Sequence, residues 1–159
     1  MGALVVYYSR TGVTKKIAHK IKKEINCDVE EIKDLKDREG LFGYLVSCKD
    51  AVLGDLPRIR APRKDPSKYN MTIVGTPVWV GNSAPPVISY LTKNRRKFNK
   101  VAFFCTQGSK PGSRHPFEEM RKACGRKPVT TMGVQDAELD SGNYEIHVRR
   151  FLGRLKRWT

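Results

Sequence analysis

The chain has 159 residues, 39% of them hydrophobic, and a formal net charge of +15. That is enough apolar material for a folded core in one domain over residues 1–159, which excludes a disordered chain. The charge favours an acidic partner, whether nucleic acid, anionic membrane or acidic protein. No run approaches the ~18 apolar residues of a membrane span, and Met1-Gly2-Ala3 opens neither a secretory leader nor a myristoylation signal.

Leu4 to Tyr8, LVVYY, is a continuous apolar run of the kind a strand covered on both faces requires. Directly after it, Ser9, Thr11, Gly12 and Thr14 crowd the start of a helix whose apolar residues Val13, Ile17, Ile21 and Ile25 recur every fourth position. Unpaired N–H groups at a helix start, with nearby hydroxyls and a glycine, form a compact cradle for a monophosphate dianion. The stretch is neither GxxxxGK[ST] nor GxGxxG, so nucleoside triphosphate and dinucleotide sites lose their main support. Ser9 and Thr11 also suit ordinary N-capping.

Asp28 to Ile32 reads as a short strand. Lys33 to Lys68 is the weakest region, with one helix suggested by Phe42, Leu45, Val46 and Val52, followed by a wandering, exposed Arg58–Lys68 segment. Met71 to Thr76 and Lys100 to Thr106 are two more buried strands, and Val129 to Val134 is a fifth. Helical patterns follow Pro85-Pro86 (Val87, Ile88, Leu91), then Pro116 (Phe117, Met120, closed by Gly125), then Tyr144 (Val148, Phe151, Leu152, Leu155). Five strands alternating with helices predict a single-domain, doubly wound five-stranded parallel α/β sheet.

In such a sheet a ligand sits at the carboxyl ends of the strands, where the strand order reverses. Besides the first loop, two others end there. Thr76 to Pro86, TPVWVGNSAPP, carries Trp79, which either covers something flat or folds back onto the core. Thr106 to His115, TQGSKPGSRH, has glycines that expose backbone N–H groups. The cysteines 27, 48, 105 and 124 form no C-x-x-C pair and, with His19, His115 and His147, no metal-ligand spacing. Free, largely buried thiols in a reducing cytoplasm are expected, with Cys105 as a small core residue.

SRTGVT at 9–14, GTPVWVG at 75–81 and CTQG at 105–108, each after a strand, together resemble the flavodoxin family over essentially the whole chain. The resemblance implies FMN as cofactor. Ser9, Thr11, Gly12, Val13 and Thr14 would hold its phosphate, with Arg10 beside them strengthening that grip or pointing to solvent. Trp79 would stack on the flavin ring. Thr76, Pro77, Val78, Val80, Gly81 and Asn82, with Thr106, Gln107 and Gly108, would contact its edge, and the Gly81 turn would reorient on reduction. Two departures stand out. No tyrosine lies between Thr106 and His115, where many flavodoxins stack one on the outer flavin face, so that face is open or is covered by His115, Phe117 or a partner. Familiar flavodoxins are acidic, and this chain is basic.

The implied function is low-potential electron transfer between redox partners. The alternative is an FMN-dependent NAD(P)H:quinone or flavin reductase. No acid–base pair stands out, because Asp136, Glu138 and Asp140 read as solvated turn residues, and a carrier needs none. The expected partner is an acidic redox protein, such as a ferredoxin or an oxidoreductase. The basic runs Arg58–Lys64, Arg95–Lys100 and Arg149–Arg157 read as solvated faces without interleaved aromatics, so neither nucleic acid nor membrane is expected to bind. The state expected is a monomer or weak dimer.

Overall fold

The computed structural model describes residues 2–35, 56–108 and 114–157. In chain order they form β1 (Ala3–Tyr7), α1 (Val13–Ile25), β2 (Asp28–Glu31), β3 (Met71–Trp79), β4 (Asn82–Ser83), α2 (Pro85–Lys93), β5 (Lys100–Gln107), α3 (Arg114–Cys124), β6 (Thr131–Gln135), α4 (Asp136–Asp140) and α5 (Tyr144–Leu155). Five strands are parallel in the order β2-β1-β3-β5-β6, and the two-residue β4 pairs antiparallel with the end of β3. The helix suggested by Phe42, Leu45, Val46 and Val52 lies outside the described residues, as does part of the loop after β5.

The continuous apolar runs are explained by what covers them. Register sets Val6, Val74 and Phe103 side by side on one face, and Val5, Ile73 and Ala102 on the other. The first row belongs to a core with Val87, Tyr90 and Leu91 of α2 and Met120 of α3. The second belongs to a core with Ile17 and Ile21 of α1 and Val148, Phe151 and Leu152 of α5. Both faces are therefore dry, and alternation of apolar and polar residues would have wrecked one of them. Gly75 is part of this fit: a Cβ there would overlap the Phe104 ring.

Two segments differ from the sequence expectation. Residues 58–60 are not a wandering loop. Leu35 N–H donates to Arg58 O at 3.0 Å and Arg60 N–H to Lys33 O at 2.8 Å, with Ile59 buried among the β2-side core residues. Asp65 then caps a short 3₁₀ turn, Pro66–Lys68, that leads into β3. Asp136 and Asp140 are exposed as expected, but the segment they bound is not an irregular turn. It is a helical turn closed by a capping box, with Gln135 N–H donating to a Glu138 carboxylate oxygen at 2.7 Å and His147 Nε2 lying 2.8 Å from the other. No helix among the described residues is long and apolar enough to cross a membrane.

Candidate functional site at the strand ends

β2 lies on one side of β1 and β3 on the other, so the connections leaving β1 and β3 diverge and open a crevice at their carboxyl ends. The loop after β1 folds so that Ser9 Oγ accepts the Gly12 N–H at 3.1 Å. Gly12 is the N-cap of α1 with φ 92°, a conformation that an L side chain rarely adopts, and a Cβ there would meet nothing. No side chain caps α1 and no acidic residue stands in its first turn. Ordinary capping by Ser9 or Thr11 is therefore not what the hydroxyls do. The first-turn N–H groups are left without a side-chain acceptor at the positive end of a thirteen-residue helix.

Thr11 is exposed, whereas Thr14 is buried and its hydroxyl lies 2.7 Å from the Thr106 hydroxyl at the end of β5. The two residues are 92 positions apart, and their bond ties the first loop to the third.

β3 runs further than expected, through Pro77 and Val78 to Trp79, then reverses at Val80-Gly81 into β4. Both turn residues have positive φ, 50° at Val80 and 81° at Gly81, as a two-residue primed hairpin turn requires. Trp79 is thus a strand residue and not a loop residue. It is only 6% exposed, edge-on to Tyr8 with ring centroids 5.6 Å apart, and it belongs to the core while also forming one wall of the crevice. Val80 at the turn is 66% exposed.

Arg10, Thr11, Val13 and Thr14 meet Pro77, Val78, Trp79, Thr106, Gln107 and Gly108 around a cleft of about 220 Å³. Asp136, at the start of α4 beyond β6, completes the lining. Sequence reasoning set Asp136 aside as a turn residue, because the Gln135–Glu138 box that starts α4 lacks the Ser, Thr, Asp or Asn that marks such a start in sequence. Ser9, Gly12, Thr76, Val80, Gly81 and Asn82 do not line the cleft. Ser9 and Gly12 brace the first loop. Thr76 is fully buried, its hydroxyl accepting the Ala84 N–H and donating to Pro77 O, both at 2.9 Å.

Asn82 holds the hairpin, its Nδ2 donating to Val80 O at 3.1 Å and its Oδ1 lying 3.0 Å from His115 Nε2. Phe117 packs against the core, so neither His115 nor Phe117 lines the cleft. Cys105 is fully buried in β5, and burial pushes its thiol up to about 12. A larger cavity, about 560 Å³, lies between β2 and residues 59–64, away from the uncapped helix. Volume alone therefore does not locate the site; the uncapped N–H groups do.

No protein-family model and no curated protein matches the chain. Solved structures do. A flavoprotein from Lactobacillus acidophilus NCFM, in complex with FMN, is 26% identical over 88% of this chain and 97% of its own, with a TM-score of 0.71. The apo form of the flavoprotein from that organism, solved by NMR, is 27% identical over 87% and 95%, with a TM-score of 0.65. A flavodoxin from the domain Archaea matches over 99% and 98% at 20% identity, a likeness of fold with a TM-score of 0.53.

Proposed function

We propose that this chain, a flavodoxin-like protein, binds FMN in the cleft at the β1/β3 strand ends and acts as a low-potential electron carrier between redox proteins. The observation that carries the reading is the α1 N-terminus, with Gly12 at φ 92°, no side-chain cap and an exposed Thr11 beside it. Such a donor set fits a phosphate monoester, which offers acceptor oxygens and negative charge to the positive end of a helix. Bound FMN supplies the electron chemistry, and the chain supplies position and surroundings.

Thr11 and the first-turn N–H groups of α1 hold the phosphate, with Arg10 adding charge at the rim. Thr14, tied to Thr106, fixes the spacing between the phosphate loop and the β5 end. Trp79, held edge-on by Tyr8, offers a rigid aromatic wall with little freedom left to lose on binding. Val80, Gly81 and Asn82 hold the hairpin beside that wall, and Val80 gives a partner an apolar contact there. Thr76 acts through the β3–α2 junction and does not touch the cofactor. The favoured partner is an acidic redox protein, a ferredoxin or an oxidoreductase, approaching the cleft rim.

One observation supports the reductase alternative. Phe117 packs into the core and His115 bonds Asn82, so among the described residues neither side chain occupies the cleft, as a substrate-accessible flavin face would require. The deciding experiment is the visible spectrum of the purified protein with the released cofactor weighed by mass spectrometry, followed by turnover. FMN reduced by another redox protein but not by NAD(P)H is the expected result. Sustained NAD(P)H oxidation with a quinone transfers the reading to the reductase. A colourless protein that refuses added FMN overturns both.

A further inference from the structure

We propose that the flank of the molecule along residues 59–64 and the C-terminal end of α2 binds the phosphate backbone of single-stranded nucleic acid, with a base seated in the cavity beneath that segment. Two basic runs far apart in sequence meet here. Residues 59–65 form one wall of a groove of about 430 Å³, and Lys93, Asn94 and Lys97 form the other. Lys64 and Lys97 are shared with Asp28 and Asp65. Arg60, Arg63 and Lys93 are exposed and have no carboxylate partner among the described residues. Arg95, just past the end of α2, lies against Gly125 outside the groove lining.

Cations in the last turn of a helix are commonly just complements to its dipole. That accounts for Lys93 but not for Arg60 and Arg63, which stand on an extended segment with no helix end to complement.

The second observation is beneath the segment. The 560 Å³ cavity shares Ile59 to Lys64 with the groove and is lined on its other sides by Tyr90 and by Val29 to Lys33, whose Glu30 and Glu31 leave it a place for a neutral base and not for a phosphate. Tyr90 is 1% exposed, and its hydroxyl has no hydrogen-bond partner. A buried phenol left unpaired costs free energy that an acceptor on a ligand would return. Phosphates following Arg60, Arg63 and Lys93 pass directly over this opening, and only an unpaired base can leave its stack to enter it.

Other anionic occupants fit less well. The exposed large apolar residues among those described, Leu35, Leu56, Val80 and Ile146, line neither the groove nor the cavity. A protein interface needs an apolar or aromatic centre, and an inserted amphipathic anchor needs an apolar face. A lipid surface is flat and does not enter a groove. The site also leaves the cofactor cleft clear. Neither the groove nor the cavity shares a lining residue with the cleft, and β5, from Lys100 to Gln107 at the cleft, spans seven steps or roughly 23 Å.

The test is fluorescence anisotropy of the full chain with a labelled oligothymidylate, the same oligomer made abasic, and a duplex, at about 50 to 200 mM salt. The reading requires tightest binding to the oligothymidylate, with a log–log salt slope that falls by about 2 in Arg60→Glu/Arg63→Glu/Lys93→Glu, at ~0.7 for each phosphate these side chains neutralise. Lys22→Glu/Lys23→Glu/Arg150→Glu, an equal charge change on α1 and α5 across the sheet, should keep that slope nearly intact. Tyr90→Phe should weaken the oligothymidylate about 2- to 10-fold and leave the abasic oligomer unchanged. Equal losses in the two charge variants overturn the proposal, because total charge would then suffice. A Tyr90→Phe protein that binds both oligomers as before overturns it too. Capture by vesicles containing phosphatidylserine without oligonucleotide binding reassigns the surface to lipid and also overturns it.

Discussion

Thr11 and Thr14 look equivalent in sequence, and the structure separates them into an exposed hydroxyl at the cleft and a buried brace. Thr11 is exposed beside the uncapped α1 N-terminus, with no hydrogen-bond partner for its hydroxyl among the described residues. Thr11→Ala should leave the apoprotein's melting temperature unchanged. It should remove one hydroxyl donor to a dianion, a charge-assisted bond worth ~1.5–3 kcal/mol, which is roughly a 10- to 150-fold rise in the FMN dissociation constant. Riboflavin has no phosphate, so its affinity should not move. Thr14→Ala removes one half of a buried hydroxyl pair at 2.7 Å and strands the Thr106 hydroxyl, which is itself only 3% exposed. That costs ~1–3 kcal/mol of folding stability. With an unfolding entropy of ~2.1 cal/mol/K per residue, a chain of this length should melt about 3 to 9 °C lower. Both ligands should then weaken, since the phosphate loop and the β5 end lose their tie. The assays are flavin fluorescence titration with FMN and riboflavin, and calorimetry of the apoprotein. If Thr11→Ala weakens riboflavin as much as FMN, the phosphate is not held where Thr11 stands. If Thr14→Ala leaves the melting temperature unmoved, the Thr14–Thr106 bond is not structural.

The hairpin places a β-branched residue at φ 50° where primed turns want Asn or Gly, so Val80→Asn should raise apoprotein stability by ~1–2 kcal/mol; an unchanged or lower denaturation midpoint would count against the turn geometry. Trp79→Ala should cost ~3–5 kcal/mol of apoprotein stability, because the ring is core as well as cleft wall, and it should also weaken FMN; lost stability with intact FMN affinity would leave Trp79 a core residue alone. Cys105, with its thiol near 12, is almost wholly protonated and buried at pH 8 and should resist iodoacetamide in the native protein; its rapid alkylation, mapped by mass spectrometry, would refute its burial in β5. The reduction potential of the bound flavin should hold nearly constant as salt rises from about 50 to 500 mM; a large shift would place the basic surface near the ring.

The strands were legible because both faces of a parallel sheet are dry, so Leu4 to Tyr8, Met71 to Thr76 and Lys100 to Thr106 read as unbroken apolar runs. The uncapped α1 start was legible as a cluster of hydroxyls around Gly12, though not which hydroxyl bonds what, since Thr14 meets Thr106 across 92 residues. The extension of β3 was hidden by Pro77, which normally breaks a strand, and by Val80-Gly81, which lacks the Asn-Gly signature of its turn. Pro77 is accommodated because it pairs with Thr106 at the last rung of the parallel ladder, beyond which β3 turns to β4. Ile59 gave the weakest sign of all: one apolar side chain between two arginines, buried in the same core as Ile32.

The same topology explains how a strongly basic chain keeps a cleft suited to a cofactor. Every helix that follows a parallel strand returns antiparallel to it, so helix starts gather at the cleft end and helix finishes at the opposite end. The last turns carry Lys22 and Lys23, Lys93, Arg121 and Lys122, and Arg154. The first turns of α4 and α5 carry Asp136, Glu138 and Glu145. Each of these placements suits the local helix dipole, and the winding of the sheet sends them to opposite ends, while Lys15 and Lys16 of α1 and Arg114 of α3 put basic charge at the cleft end as well. The three basic runs are thereby split as well: Arg95 to Lys100 lies at the finish of α2, while Arg149 to Arg157 runs along and past α5 on the other face. At a spacing of roughly 23 Å, more than twice a Debye length of about 8 Å, cations at the far end reach the cleft only weakly. Net charge therefore governs what the far end and the flank attract, while the local charges Arg10 and Asp136, with the first-turn N–H groups of α1, govern what the cleft holds.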